Sequence, residues 1–328
     1  MKKLSMLMLA VASTIWISCN NNPAKENNQE EHSEMSHAHE EGNHHGEHIY
    51  TCPMGCEGGQ SNKPGKCPKC GMDLVHSDKS LNNKKYFIDY KAIPTELEAG
   101  MEGMLSFTPK DAANSDAPVP LDIVHDKKIH LIIVSKDLSY FEHIHPEYQS
   151  DGSYRIEVLP KDKDYTNGIG HNETKFPYGG EYIMFQDYAP TGSGHQLSRI
   201  PITMKGKEKA PVKYTKENLG WSKDGYKVDL SFDKKSLKAK EMAGLKVNIT
   251  KGGKLVTNLE NYLGALGHMV VISENTEKYL HVHPMDSETK GPAILFHSTF
   301  DEPGIYRAFL QFKHDGKLQT ADYVIQVQ

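Results

Sequence analysis

Six histidines stand in one repeated spacing. His130-x12-His143-x-His145-Pro146 recurs as His268-x12-His281-x-His283-Pro284, every residue displaced by 138 positions. Imidazole is the commonest protein ligand for zinc and copper, so a duplicated triple of histidines points to metal handling.

Such a triple needs an element that brings it to one point. The apolar run after His130 and the His-x-His step read as two antiparallel strands of a hairpin, with its turn between Val134 and Leu138. His143 and His145, two apart on a strand, share a face. His130 is expected roughly opposite His143, within the ~4.5–5.5 Å of cross-strand neighbours. Pro146 ends the strand. Three imidazoles on one face suit Cu(II) or Zn(II) with water or a fourth side chain. His125 is the fourth-ligand candidate in the first repeat, ahead of His195, whereas Leu263 stands at the aligned position of the second. Met269 and Met285 flank the second triple as soft ligands or core filler. His297 and His314 fall outside the pattern and read as surface residues. The competing reading is that the six histidines only pin their hairpins by hydrogen bonds.

Apart from Cys19, the cysteines are Cys52, Cys56, Cys67 and Cys70. A segment of about 28 residues cannot bury enough apolar surface to fold alone. Cys67-Pro-Lys-Cys70-Gly has the form of a metal knuckle, and Cys52-x3-Cys56 supplies an opposing pair for a tetrahedral zinc site. Two disulfides are the alternative outside the cytoplasm. The stretch from Tyr50 to Leu74 resembles the heavy-metal-binding domain found ahead of copper-transporting P-type ATPases and on periplasmic adaptors of metal efflux pumps. Gly55 replaces that family's usual histidine, and Cys56 follows it. The resemblance implies a structural zinc or a transfer site serving an efflux pump.

Lys2 and Lys3 precede an apolar run over residues 4–17 and then Ser18-Cys19. This resembles a bacterial lipoprotein signal over 1–18, with Cys19 lipidated, although Trp16 stands where leucine is usual. Residues 19–48 read as a disordered, acidic stalk. Its His32, His37, His39, His44, His45 and His48 are candidates for loose metal capture, or belong to a mere spacer. No later stretch reaches the ~20 apolar residues that span a bilayer. A net charge of −5 gives no basic bias toward nucleic acid. The expected setting is therefore the bacterial cell envelope, the chain held to the membrane by lipid.

The remainder alternates short apolar strands with turns, without any long helical period. That indicates a mainly β chain: a small Cys-rich zinc-knuckle module at 49–76, then two tandem Ig/cupredoxin-like β-sandwiches at 84–206 and 213–328. His130-Leu-Ile-Ile-Val-Ser-Lys-Asp-Leu-Ser-Tyr-Phe-Glu-His-Ile-His-Pro146 resembles a stretch of secreted β-sandwich proteins, which supports an envelope location. The function expected is non-catalytic binding or buffering of a transition metal, Cu(I)/Cu(II) ahead of Zn(II), in metal resistance or homeostasis linked to efflux. A metalloenzyme would need an acid or base beside the metal. Glu142 points to the wrong face, and the repeat counterpart of Asp187 is Gln311. A protein-interaction module with structural histidines is the other alternative. The repeat predicts that replacing His281 and His283 together by alanine removes one tight metal equivalent and leaves the other, as elemental analysis would show; unchanged loading would dismiss the hairpin site.

Overall fold

The computed structural model describes residues 49–52, 59–68, 74–77, 86–164, 172–285 and 289–328. Cys19, Cys56, Cys70 and the stalk histidines lie outside them. Strands predominate among the described residues, which contain no helix. None is therefore long and apolar enough to cross a membrane.

In the first repeat, one sheet runs in the order Gln196–Met204, Gly180–Tyr188, Ile129–Ser135, Phe141–Ile144. Its mate is built on Tyr86–Ile93, Gly103–Asp111 and Tyr154–Val158. The second repeat copies the plan. Lys317–Val327, Gly304–His314, His268–Ser273 and Tyr279–Val282 form one sheet. Tyr226–Phe232, Met242–Lys251 and Ala293–Thr299 form the other. A fifth, separate sheet pairs Ile49–Thr51 with Gln60–Ser61 and Val75–Ser77, beside a small cluster of buried Cys52, Cys67 and Leu74.

The strands that carry the histidines are buried along their whole length, Ile129–Ser135 on one side and His268–Ser273 on the other. Alternation explains why. Ile129, Leu131 and Ile133 enter the first sandwich's own core. His130, Ile132 and Val134 emerge on the opposite face. Likewise Met269 and Val271 face the second core, while Val270 and Ile272 face outward. The two outward faces close on each other: Ile132, Val134, Ile183 and Phe185 pack with Val270 and Ile272 in one cluster. Aromatic rings seal the contact reciprocally. Phe141 stacks on Phe309 with centroids 4.2 Å apart, and Tyr279 stacks on Phe185 at 4.9 Å. Phe141 corresponds to Tyr279 in the repeat, and Phe185 to Phe309, so the interface has an approximate two-fold.

The hairpin register departs from the sequence expectation. Ile132 pairs with His143 and Leu131 with Ile144. That register puts His130 across from His145 rather than His143. Met269 pairs with Val282, which puts His268 across from His283 in the same way.

Phe309→Ala removes a buried ring from the domain contact and should cost about 3–5 kcal/mol, measured by chemical denaturation. Leu255, 66% exposed, is the control: Leu255→Ala should stay within about 0.5 kcal/mol. A Phe309 variant as stable as that control would mean the two faces do not pack.

Candidate metal centre

Each histidine triple comes together as its spacing suggested. The ligand nitrogens of His130, His143 and His145 all lie within 4.8 Å of one another, and so do those of His268, His281 and His283. Five of the six are buried and His283 is partly so. The two triples are not on separate surfaces, however. Both occupy the face between the sandwiches, and His130 and His281, from different repeats, have ring centroids 5.5 Å apart.

Hydrogen bonds fix how each ring presents its nitrogens. His130 donates from Nε2 to the Val124 carbonyl at 3.0 Å. His143 donates from Nδ1 to Gln311 Oε1 at 2.7 Å. Each neutral imidazole has one N–H, so the remaining nitrogens, His130 Nδ1 and His143 Nε2, are lone-pair atoms. They face each other at 3.1 Å. Two acceptors in that position need a cation between them. A proton is disfavoured there: burial, then the charge of neighbouring His281, lowers His130 to about 4. Burial and the other histidines hold His143 well below its ordinary value. A metal ion fits better, because two nitrogens each ~2.0–2.1 Å from a tetrahedral zinc are about 3.3 Å apart.

The second triple repeats the arrangement. His268 donates from Nε2 to the Tyr262 carbonyl at 2.8 Å, leaving Nδ1 buried without a hydrogen bond. His281 donates from Nδ1 to Asp187 Oδ2 at 3.0 Å, leaving Nε2 in the same condition. His283 Nε2 is also buried and unbonded. Buried polar atoms of this kind are rare and require an explanation. Here they converge.

Asp187 and Gln311 orient the rings across the interface. Each is the cross-strand neighbour of its own repeat's first histidine, Asp187 of His130 and Gln311 of His268. Each side chain then reaches the second histidine of the other repeat. A carboxylate or amide oxygen holding the outer N–H is the usual support of a metal-binding imidazole. Inspection of one repeat at a time missed this, since the pairing exists only between repeats. The signal available was their equivalence: two polar residues at matched positions in otherwise apolar strands.

Asp187 also accepts from His195 Nδ1 at 2.7 Å. Burial raises the Asp187 carboxyl, but the charge and hydrogen bonds of His195 and His281 outweigh that and hold it well below its ordinary value. For His195 burial acts downward, and Asp187 more than compensates, so its value is raised.

Several sequence expectations change place. His125, assigned to the first triple, stacks on His283 of the second with centroids 3.7 Å apart. Its left-handed φ of 49° is matched by 53° at Leu263, which confirms that the two positions correspond. Met269 is fully buried in the second core and Met285 is 45% exposed. His314, read as a surface residue, is buried and hydrogen-bonded to the Tyr226 hydroxyl at 2.7 Å and to Asn258 at 3.1 Å. Glu142 does point away, accepting from the Tyr140 hydroxyl and Thr174. Of the cysteine quartet, Cys52 and Cys67 are described and lie buried together.

Fold and site define a tandem β-sandwich protein with a histidine centre between its domains. The chain belongs to the family of the domain of unknown function DUF8832, whose model matches residues 87–205 and 221–328. Residues 49–77 match the heavy metal binding domain. A comparison with curated proteins gave no match. Among solved structures, the Escherichia coli adhesin FdeC aligns at 12% identity and a TM-score of 0.22, over 79% of this chain and 71% of that one. The Yersinia pseudotuberculosis adhesin InvE aligns at 10% identity and 0.23, over 74% and 60%. Neither likeness bears on function.

The buried histidines make the metal-free protein acid-sensitive. Burial, together with neighbouring histidines, lowers His125 and His268 to about 3 and His130 to about 4, from 6.5. Folded values below the unfolded one mean that the unfolded chain takes up protons first. Their stabilising contribution is complete above pH 6.5 and is lost as the pH falls through 4 toward 3. Calorimetry should therefore show Tm of the metal-free chain dropping through that window, and less steeply in a His130→Gln, His268→Gln variant. Equal slopes would mean these rings are not buried neutral.

Proposed function

We propose that this chain is a lipid-anchored, non-catalytic protein of the bacterial cell envelope that binds and buffers a transition metal between its two sandwiches. One observation carries the reading: in each triple two imidazoles have their outer N–H tied to oxygen, so that lone pairs converge at 3.1 Å in the first and unbonded nitrogens gather in the second. His130, His143 and His145 would hold one ion, and His268, His281 and His283 another. An all-imidazole site suits copper or zinc, and copper stands ahead because Cu(II) binds nitrogen sites most tightly in the divalent series.

The heavy-metal-binding module supports the same theme. Cys52, Cys56, Cys67 and Cys70 would hold zinc structurally or pass metal to an efflux system, with the stalk histidines collecting ions loosely. Catalysis is disfavoured because Asp187, the carboxylate beside the cluster, is committed to His195 and His281. A base must be at liberty to take a proton.

Elemental analysis and calorimetric titration of residues 84–328 test the reading. Two tight Cu(II) or Zn(II) per chain are expected, and no tight binding would reduce the histidines to interface structure. Asp187→Asn offers one acceptor oxygen in place of two, so His281 or His195 loses its partner. One equivalent should weaken about 10–100-fold, the usual effect of losing an outer-shell partner. Unaltered affinity would mean Asp187 does not support the site.

A further inference from the structure

Ring spacings do not respect the boundary between the repeats. Within the triples, centroids are 4.7–5.4 Å apart in most pairs: His130–His143 at 5.4 Å, His143–His145 at 4.8 Å, His281–His283 at 4.7 Å. Across the boundary, His130–His281 is 5.5 Å and His143–His281 is 6.3 Å. His125 lies 3.7 Å from His283 and 6.0 Å from His268. One ring of the second triple thus lies about as near to His130 as the first triple's own rings do.

His125 belongs to the first repeat, yet its nearest imidazole is in the second. Its Nε2 is buried without a hydrogen bond, as is Nε2 of His283 on which it stacks. Its counterpart Leu263 has the same backbone conformation but no donor to return. His125 therefore lays its ring face against a member of the other repeat's triple, a cover that the aliphatic Leu263 does not return.

We propose that the two triples form a single two-metal centre closed across the domain interface, with three imidazoles on each ion and His125 stacked over His283 of the second. This rests on the reading that the triples bind metal. The ion on the first triple keeps an open coordination position for water or a small anion, as three-ligand metal sites do. The ion on the second triple likewise has three imidazoles, and His125 packed on His283 covers it from the other domain. Two like-charged ions this close also repel, so the second equivalent binds more weakly than the first.

Copper(II) titrated into the full chain, with thiols blocked by N-ethylmaleimide, tests this by electron paramagnetic resonance. A half-field transition, which requires two neighbouring spins, should appear as the second tight equivalent is added. The main-field signal should then integrate to fewer than two spins. In a His268→Gln, His283→Gln variant the half-field signal should vanish and one isolated copper remain; its survival would place the coupled pair elsewhere and overturn the proposal. Two tight coppers behaving as independent spins would overturn the paired centre while leaving metal binding intact. Absence of tight copper would remove both readings.

Discussion

Everything at the centre of this protein depends on the pairing of two sheet faces that neither domain can leave in water. Ile132, Val134, Ile183 and Phe185 on one sandwich and Val270 and Ile272 on the other are buried only because the domains meet. Apolar burial of this kind is worth roughly 25 cal/mol per Å², and it is what keeps His130, His143, His145, His268 and His281 out of water. Without that contact the rings would be solvated, protonatable and unaligned. With it, His130, His143, His268 and His281 are each confined to one tautomer by an oxygen on the outer side.

The reciprocity of the supports follows from the same contact. Gln311 and Asp187 reach across to the partner repeat's second histidine, just as Phe309 and Phe185 reach the partner's first aromatic. A two-fold arrangement makes such exchanges inevitable: any side chain that crosses the interface has a counterpart crossing the other way. Where the sequences of the repeats differ, the symmetry breaks. Asp187 bears a charge and recruits His195, whereas Gln311 is neutral and turns its amide toward Thr320. His125 faces Leu263 in the same comparison.

The fold and the ligand triples were legible in the sequence because both are local patterns. Alternation, turns and a constant offset of 138 residues need no knowledge of distant contacts. The register was misjudged by two residues because turn length alone does not set it. What stayed hidden was the mating of the two faces. The clue lay in His130-Leu-Ile-Ile-Val-Ser, where even as well as odd positions are apolar; a sandwich strand with a wet outer face would alternate. Such a run requires a second cover, and only the other repeat could supply it. His314 was misplaced for a related reason, since its partners Tyr226 and Asn258 come from distant strands.

The enclosure has a kinetic side. Most of the ligand nitrogens lie beneath two mated sheets, with His125 and His283 nearer the rim. An ion seated at the inner rings can leave only when the faces part, so its residence time is tied to the opening of the domains rather than to the strength of any one coordinate bond. If the proposed metal binding holds, such a protein would retain its ion by closure, and whatever draws the sandwiches apart would set the moment of release.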